Sequence, residues 1–379
     1  MGFLGARQRS EDGRHGRRAA GAAPEPGTGT VHGDEKAVPE PQPPPVGPRR
    51  LSEFEELERR ALDTRGAAAG GRSGENRESR PDEGDRWQPI VVDRPAYDFE
   101  PKPPVPAPLY HVPDTVFEGW SSAAFTMRLA STRGASHRFR AQPRQDHAEV
   151  FFREAHGSEA VVFAVADGVS NAEHGELGSM FAAQGSIHTL LRQLTAGGPL
   201  DWAAVLADAA AHMAAGSEVA LGVSNPAAGE LAKLMATTLV VGVVGEVAGG
   251  FRVVMARVGD SGAWVLSGKT YRAVFAPKRG AHADLMPSAV EALPRIPAQI
   301  PTVSFELRPD EVLLVGTDGF GDPLGDGTGA VGELFARWLD RVPPPRGFAH
   351  LLDFSRDTFD DDRTLLAVWP RPRRTGAGR

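Results

Sequence analysis

Residues 161–171 read Val161-Val-Phe-Ala-Val-Ala-Asp-Gly-Val-Ser-Asn171. An unbroken apolar run rich in β-branched side chains predicts a strand buried on both faces. The run ends in Asp167-Gly168. Asp-Gly is among the commonest turn dipeptides. Asp167 is therefore either a turn residue or a carboxylate held at a strand end to grip a ligand. Similar segments recur elsewhere in the chain. Asp318 follows Glu311-Val-Leu-Leu-Val-Gly-Thr317 and precedes Gly319. Asp361, with Asp360 and Asp362, directly precedes the strand-like Arg363-Thr-Leu-Leu-Ala-Val-Trp369. Asp146 precedes Ala148-Glu-Val-Phe-Phe152. Several strands can thus bring carboxylates to one edge of a core. Like charges gathered there repel unless a counter-ion neutralises them. Mg²⁺ and Mn²⁺, which prefer oxygen ligands, are the usual solution. The glycines after Asp167 and Asp318 are expected to let the backbone turn sharply.

The 379-residue chain has a net charge of −7 and no cysteine. Disulfides and thiolate metal sites are excluded. No apolar run reaches the roughly 18–20 residues that span a bilayer. The N-terminus has no signal-peptide core. A cytoplasmic location is the simplest expectation. No basic face points to nucleic acid. Residues 1–111 are rich in Gly and Pro and too poor in large apolar residues to form a core, so this segment is expected to be disordered. Within it, 51–62 has helical spacing of Leu51, Phe54, Leu57 and Leu62, a short helix that could dock on a protein partner. The folded domain is expected over 112–370, with a fraying tail at 371–379.

Within that domain, strands are predicted around 125–130, 148–152, 160–165, 238–244, 251–258, 263–266, 271–275, 303–307, 311–316 and 364–369. Helices are predicted over 175–194, 201–221 and 330–342. Runs of strands joined by tight loops, with helices in clusters, predict an α+β layered domain of antiparallel sheets with helices outside.

The motifs resemble the metal-dependent PP2C (PPM) family of serine/threonine protein phosphatases, in its compact bacterial form, over roughly residues 120–370. They occur in family order: Gly134-Ala-Ser-His137 with Pro143-Arg-Gln-Asp146, Ala166-Asp-Gly-Val169, Met235-Ala-Thr-Thr238, Val258-Gly-Asp-Ser-Gly262, Thr317-Asp-Gly-Phe320 and Asp361-Asp-Arg-Thr364. The resemblance implies a β-sandwich of two antiparallel sheets flanked by pairs of helices. It implies phosphate-monoester hydrolysis by a water held between two Mn²⁺ or Mg²⁺ ions, without a phosphoenzyme. Asp167 would bridge the ions, with Asp146 and the Gly168 carbonyl on one side and Asp318 and Asp361 on the other. Asp322 stands where some members carry a ligand for a third metal, although its stretch GFGDPLGDG reads as a loop and a turn role fits equally. His137, Arg138 and Arg140 are candidates for holding substrate phosphate. Ser261 and Thr317 are expected to be structural.

The sequence departs from the family pattern in places. Gln145 stands where many members have Glu, and Arg144 replaces a common Asn. Val169 stands where some members have a general-acid histidine. The region around Lys278 and Arg279 does not follow the family's flap. The expected substrate is a phosphorylated protein and the expected state a monomer. The alternatives are a catalytically weak regulatory module and a small-molecule phosphatase.

Overall fold

The structure, a computed structural model, describes residues 88–96, 99–105, 110–275 and 291–371. The helix expected at 51–62, most of the segment 1–111, Lys278, Arg279 and the tail beyond residue 371 lie outside the described residues.

The opening stretch lies in strand β4 (Ser158–Asp167). Strand alternation sends Val161, Phe163 and Val165 to one face and Val162, Ala164 and Ala166 to the other. All six are fully buried, the first set between two sheets and the second under helices. That is why the run shows no polar alternation. β4 belongs to a five-stranded antiparallel sheet ordered β3 (Asp146–Ala155), β4, β5 (Leu239–Val247), β6 (Gly250–Val258), β9 (Thr302–Leu307). The facing six-stranded sheet runs β1 (Thr115–Ser121), β2 (Phe125–Thr132), β11 (Arg363–Pro370), β10 (Glu311–Gly316), β7 (Gly262–Ser267), β8 (Thr270–Ala273), again antiparallel.

The core between the sheets interleaves Phe125, Met127, Leu313, Val315, Leu366 and Val368 with the first set from β4. Outside the five-stranded sheet lie α2 (Gly175–Ala196) and α3 (Trp202–Leu221), packed through Leu177, Leu190, Leu206 and Met213. Outside the six-stranded sheet lie α5 (Asp318–Leu324), α6 (Ala330–Leu339) and α7 (Pro345–Leu352), packed through Phe320, Phe335 and Phe348. Two short helices complete the described set, α1 (Ala135–Arg140) and α4 (Ala228–Met235). The α+β sandwich expected from the sequence is the one observed. No helix among the described residues is long and apolar enough to cross a membrane.

Three local expectations change. The first strand of the sandwich is β1, not the segment at 125; it is an edge strand, half exposed, and its pattern is weak. The stretch containing Asp322 is the helix α5 rather than a loop. Phe320 and Leu324, one turn apart, are both buried, and that outweighs two glycines and Pro323. Residues 88–96 and 99–105, read as part of a disordered segment, run along the domain instead. Val92 is buried there, and its N–H donates to the Ser355 carbonyl at 2.9 Å.

Candidate metal centre

Asp146 opens β3 and Asp167 closes β4, and the antiparallel register pairs them directly. In the other sheet β10 ends at Gly316, opposite Leu365 of β11. Asp318 therefore emerges beside Asp361 and Asp362, which lead into β11. Antiparallel pairing places the end of one strand next to the start of its neighbour, so one edge of the sandwich collects acidic segments from both sheets.

These carboxylates interact strongly. Burial first, then the charges of Asp146, Asp318 and Asp361, hold the Asp167 carboxyl well above its ordinary range. A hydrogen bond to Asp318 acts in the same direction. Asp146 is likewise raised well above its ordinary range, by burial and then by Asp362. Asp361, an exposed residue at the rim of the cluster, is raised by partial burial of its carboxylate and then by Asp362. Such a set requires either bound protons or a bound cation. Asp146, Asp167, Asp318 and Asp361 each offer oxygen, a donor set that fits Mg²⁺ or Mn²⁺.

The carboxylates are held in place from behind. The hydroxyls of Thr317 and Thr364 each donate to Asp146 Oδ2 at 2.8 Å. Ser131 Oγ lies 2.6 Å from Thr364 Oγ1. The backbone of Asp167 is fixed on both sides. Its N–H donates to Thr238 Oγ1 at 3.2 Å, and its carbonyl accepts from the Thr238 N–H and the Thr237 hydroxyl, each at 2.8 Å. Ser261 is buried, with its hydroxyl 2.7 Å from that of Thr238. Thr317 and Ser261 thus occupy the structural places expected of them.

The two Asp-Gly pairs have an explanation other than a sharp turn. Neither Gly168 nor Gly319 is among the described residues with positive φ. A Cβ on Gly168 would overlap the Gly175 carbonyl, and one on Gly319 would overlap the Asp362 carbonyl. Glycine is required because another backbone packs against it, which is how β4, α2 and the segment before β11 come close enough to share a site.

Asp362 is the residue that the sequence reading missed. It is 2 % exposed and accepts the backbone N–H groups of Gly134 at 2.6 Å and Gln145 at 2.5 Å. His137 Nδ1 lies 2.8 Å from Asp362 Oδ2, an ion-pair contact without hydrogen-bond alignment. Burial lowers the basicity of His137, but the Asp362 carboxylate outweighs it, so the ring's pKa stands above its ordinary value. His137, Asp361 and Asp362 each offer a ligand atom within 4.8 Å of the others, a spacing that could hold a metal ion.

Of the three phosphate candidates, only His137 reaches this cluster. Arg138 is engaged by Asp114 at 2.7 Å and Asp353 at 3.1 Å. Arg140 is exposed at the end of α1. Asp322 is exposed on α5, one turn from Asp318. Arg144 is 3 % exposed, with Nε and Nη1 unpartnered. Its guanidinium pKa is lowered by burial and supported by the charges of Asp146 and Asp362. The Gln145 side-chain oxygen is also buried without a partner.

Comparison with known proteins gives a family match. Residues 133–354 match the model described as protein phosphatase 2C. No curated protein matches. Among solved structures, the catalytic domain of the serine/threonine protein phosphatase PstP in complex with two manganese ions is 20% identical; the match covers 65% of this chain and 98% of that one, with a TM-score of 0.43. RsbX in complex with magnesium is 11% identical over 67% of this chain and 100% of that one, with a TM-score of 0.43. The serine/threonine phosphatase of S. agalactiae is 18% identical over 65% and 99%, with a TM-score of 0.42. The family match spans more than half of the 379 residues, and the chain belongs to the protein phosphatase 2C family, the metal-dependent serine/threonine protein phosphatases.

Proposed function

We propose that the chain hydrolyses phosphoserine and phosphothreonine esters on proteins, with two Mn²⁺ or Mg²⁺ ions held by Asp146, Asp167, the Gly168 carbonyl, Asp318 and Asp361. The observation that carries this reading is the convergence of Asp146, Asp318 and Asp361 on Asp167 at one edge of the sandwich, where burial and then their charges hold the Asp167 carboxyl well above its ordinary range. Asp167, which feels the charge of the other three, is assigned the bridging position. Asp146, enclosed by two threonine hydroxyls, keeps a fixed orientation behind it. Asp322, exposed one turn beyond Asp318, is assigned as a ligand of a third, weaker ion. When bound, such ions neutralise charge on the phosphoryl oxygens and supply a nucleophilic water at neutral pH. His137 is the one phosphate candidate near enough to meet the phosphoryl group. Arg138, occupied by two carboxylates, is not assigned that role. The substrate is a phosphoprotein, and the chain is taken to act in the cytoplasm as a monomer, with the segment before residue 88 assigned the recruitment of a protein partner.

A second reading, a weak regulatory module, draws on the uncharged Gln145 and the buried Arg144 charge beside Asp146. Manganese-dependent release of phosphate from a phosphothreonine peptide, run beside calorimetric Mn²⁺ titration, separates the two. Binding with turnover supports the enzyme. Binding without turnover supports the module, and absence of both contradicts the metal centre.

A further inference from the structure

The segment preceding the sandwich is attached to the two parts of the chain that carry the far side of the site. On one side it holds the loop before β11. The Ser355 N–H donates to the Ile90 carbonyl at 2.8 Å and the Asp357 N–H to the Arg94 carbonyl at 2.7 Å. The Ala96 N–H donates to Ser355 Oγ at 2.9 Å, and Arg356 pairs with Asp93 at 3.2 Å. On the other side it holds α1. The Lys102 N–H donates to the Arg138 carbonyl at 3.0 Å and the Val105 N–H to the Ala141 carbonyl at 2.9 Å. Phe99 meets Phe139 edge-on at 5.6 Å, and Lys102 Nζ lies 4.3 Å over the same ring.

These two parts also meet each other at the site. The Ser136 N–H donates to the Asp360 carbonyl at 2.9 Å, Gly134 donates to Asp362, and His137 contacts Asp362. The segment therefore bridges α1 and the loop that carries Asp361 across their outer side. Its seating is not that of a core element. A cavity of about 490 Å³ remains beneath it, bordered by Phe99, Arg133, Phe354, Phe359 and Arg363. Val92 is its buried apolar anchor, among the side chains around Phe335 and Phe354. A strip held by backbone hydrogen bonds and few apolar anchors opens more readily than a packed strand.

We propose that residues 88–96 and 99–105 are a positioning strap for the metal centre, fixing Asp361 relative to the ligands of the other sheet, so that release of the strap weakens metal binding before it unfolds the domain. Val92, Phe99 and Ser355 are positioning residues in this account, since none touches the reacting atoms.

The inference rests on Asp361 being a metal ligand, and the test separates the two claims. Full-length protein is compared with the double variants Val92→Asp/Phe99→Ala and Phe99→Ala/Ser355→Ala; the second keeps the buried anchor should the first fail to fold. Val243→Ala, in β5 and remote from the strap, serves as a control for general loss of stability. Mn²⁺ affinity is measured by calorimetry, and kcat on a phosphothreonine peptide is measured at saturating Mn²⁺. The expected result is a Mn²⁺ dissociation constant raised at least about tenfold in the foldable strap variants, with kcat at saturation within about threefold of the parent. The control should lower the melting temperature with its Mn²⁺ affinity unchanged. Unchanged affinity in the strap variants, or an equal loss in the control, overturns the strap. Failure of the parent protein to take up Mn²⁺ overturns the ligand assignment itself.

Discussion

Asp167 ends a strand whose six preceding side chains are all enclosed, and its peptide group is hydrogen-bonded to Thr237 and Thr238 on the neighbouring chain segment. Rigid support of this kind suits a charge that several partners must share. Asp167→Asn should leave the fold intact and reduce phosphate release by on the order of 10³-fold, the scale on which lost charge stabilisation is felt; retention within tenfold would contradict the bridging role. Gly168→Ala should destabilise by about 2 kcal/mol in urea titrations, because the added methyl group meets backbone rather than a movable side chain. Arg144 places a buried positive charge beside Asp146 and Asp362. Arg144→Met should tighten Mn²⁺ binding several-fold, about 1 kcal/mol of relieved repulsion, by calorimetric titration. In the metal-free protein, Asp146 and Asp167 hold protons more tightly than the unfolded chain does. Their contribution to stability is therefore complete below the ordinary value of 3.8 and is lost as pH rises through the raised values. Melting temperatures of metal-free protein should fall as pH rises above the ordinary carboxylate value of 3.8 and through the raised values, while Mn²⁺ affinity should rise over the same span as protons are displaced.

Among the elements, legibility in the sequence followed burial pattern. β4, β5 and β10 were readable because both of their faces are buried, which leaves unbroken apolar runs. β1 was not, because it is an edge strand whose Phe117 faces solvent beside Val116, which breaks the apolar alternation. α5 was hidden by its own glycines, although the spacing of Phe320 and Leu324 was present in the sequence. The acidic pattern showed that carboxylates gather at strand ends, but not which of Asp360, Asp361 and Asp362 turns inward. That choice depends on where β11 begins and on the backbone N–H groups of Gly134 and Gln145 that Asp362 accepts. Asp-Gly, read as a turn, proved to be a point of backbone contact. Phe163→Ala should lower stability by about 3–5 kcal/mol in denaturant titrations, since its ring fills the layer between the sheets and leaves a cavity that neither sheet can close alone.

At the scale of the whole molecule, two sheets built from different parts of the chain each contribute carboxylates to one edge, so the site exists only once the sandwich has closed. Cation binding and folding should therefore be coupled: Mn²⁺ at a hundred times its dissociation constant should add about 2.7 kcal/mol to stability. The most direct test of the account is the rate of phosphate release from a phosphothreonine peptide, measured with Mn²⁺ and with chelator for the parent protein and for Asp167→Asn. A metal centre bridged by Asp167 predicts Mn²⁺-dependent release by the parent, none in chelator, and a rate about 10³-fold lower in Asp167→Asn. Release that persists in chelator, or that Asp167→Asn retains within tenfold of the parent, would contradict it.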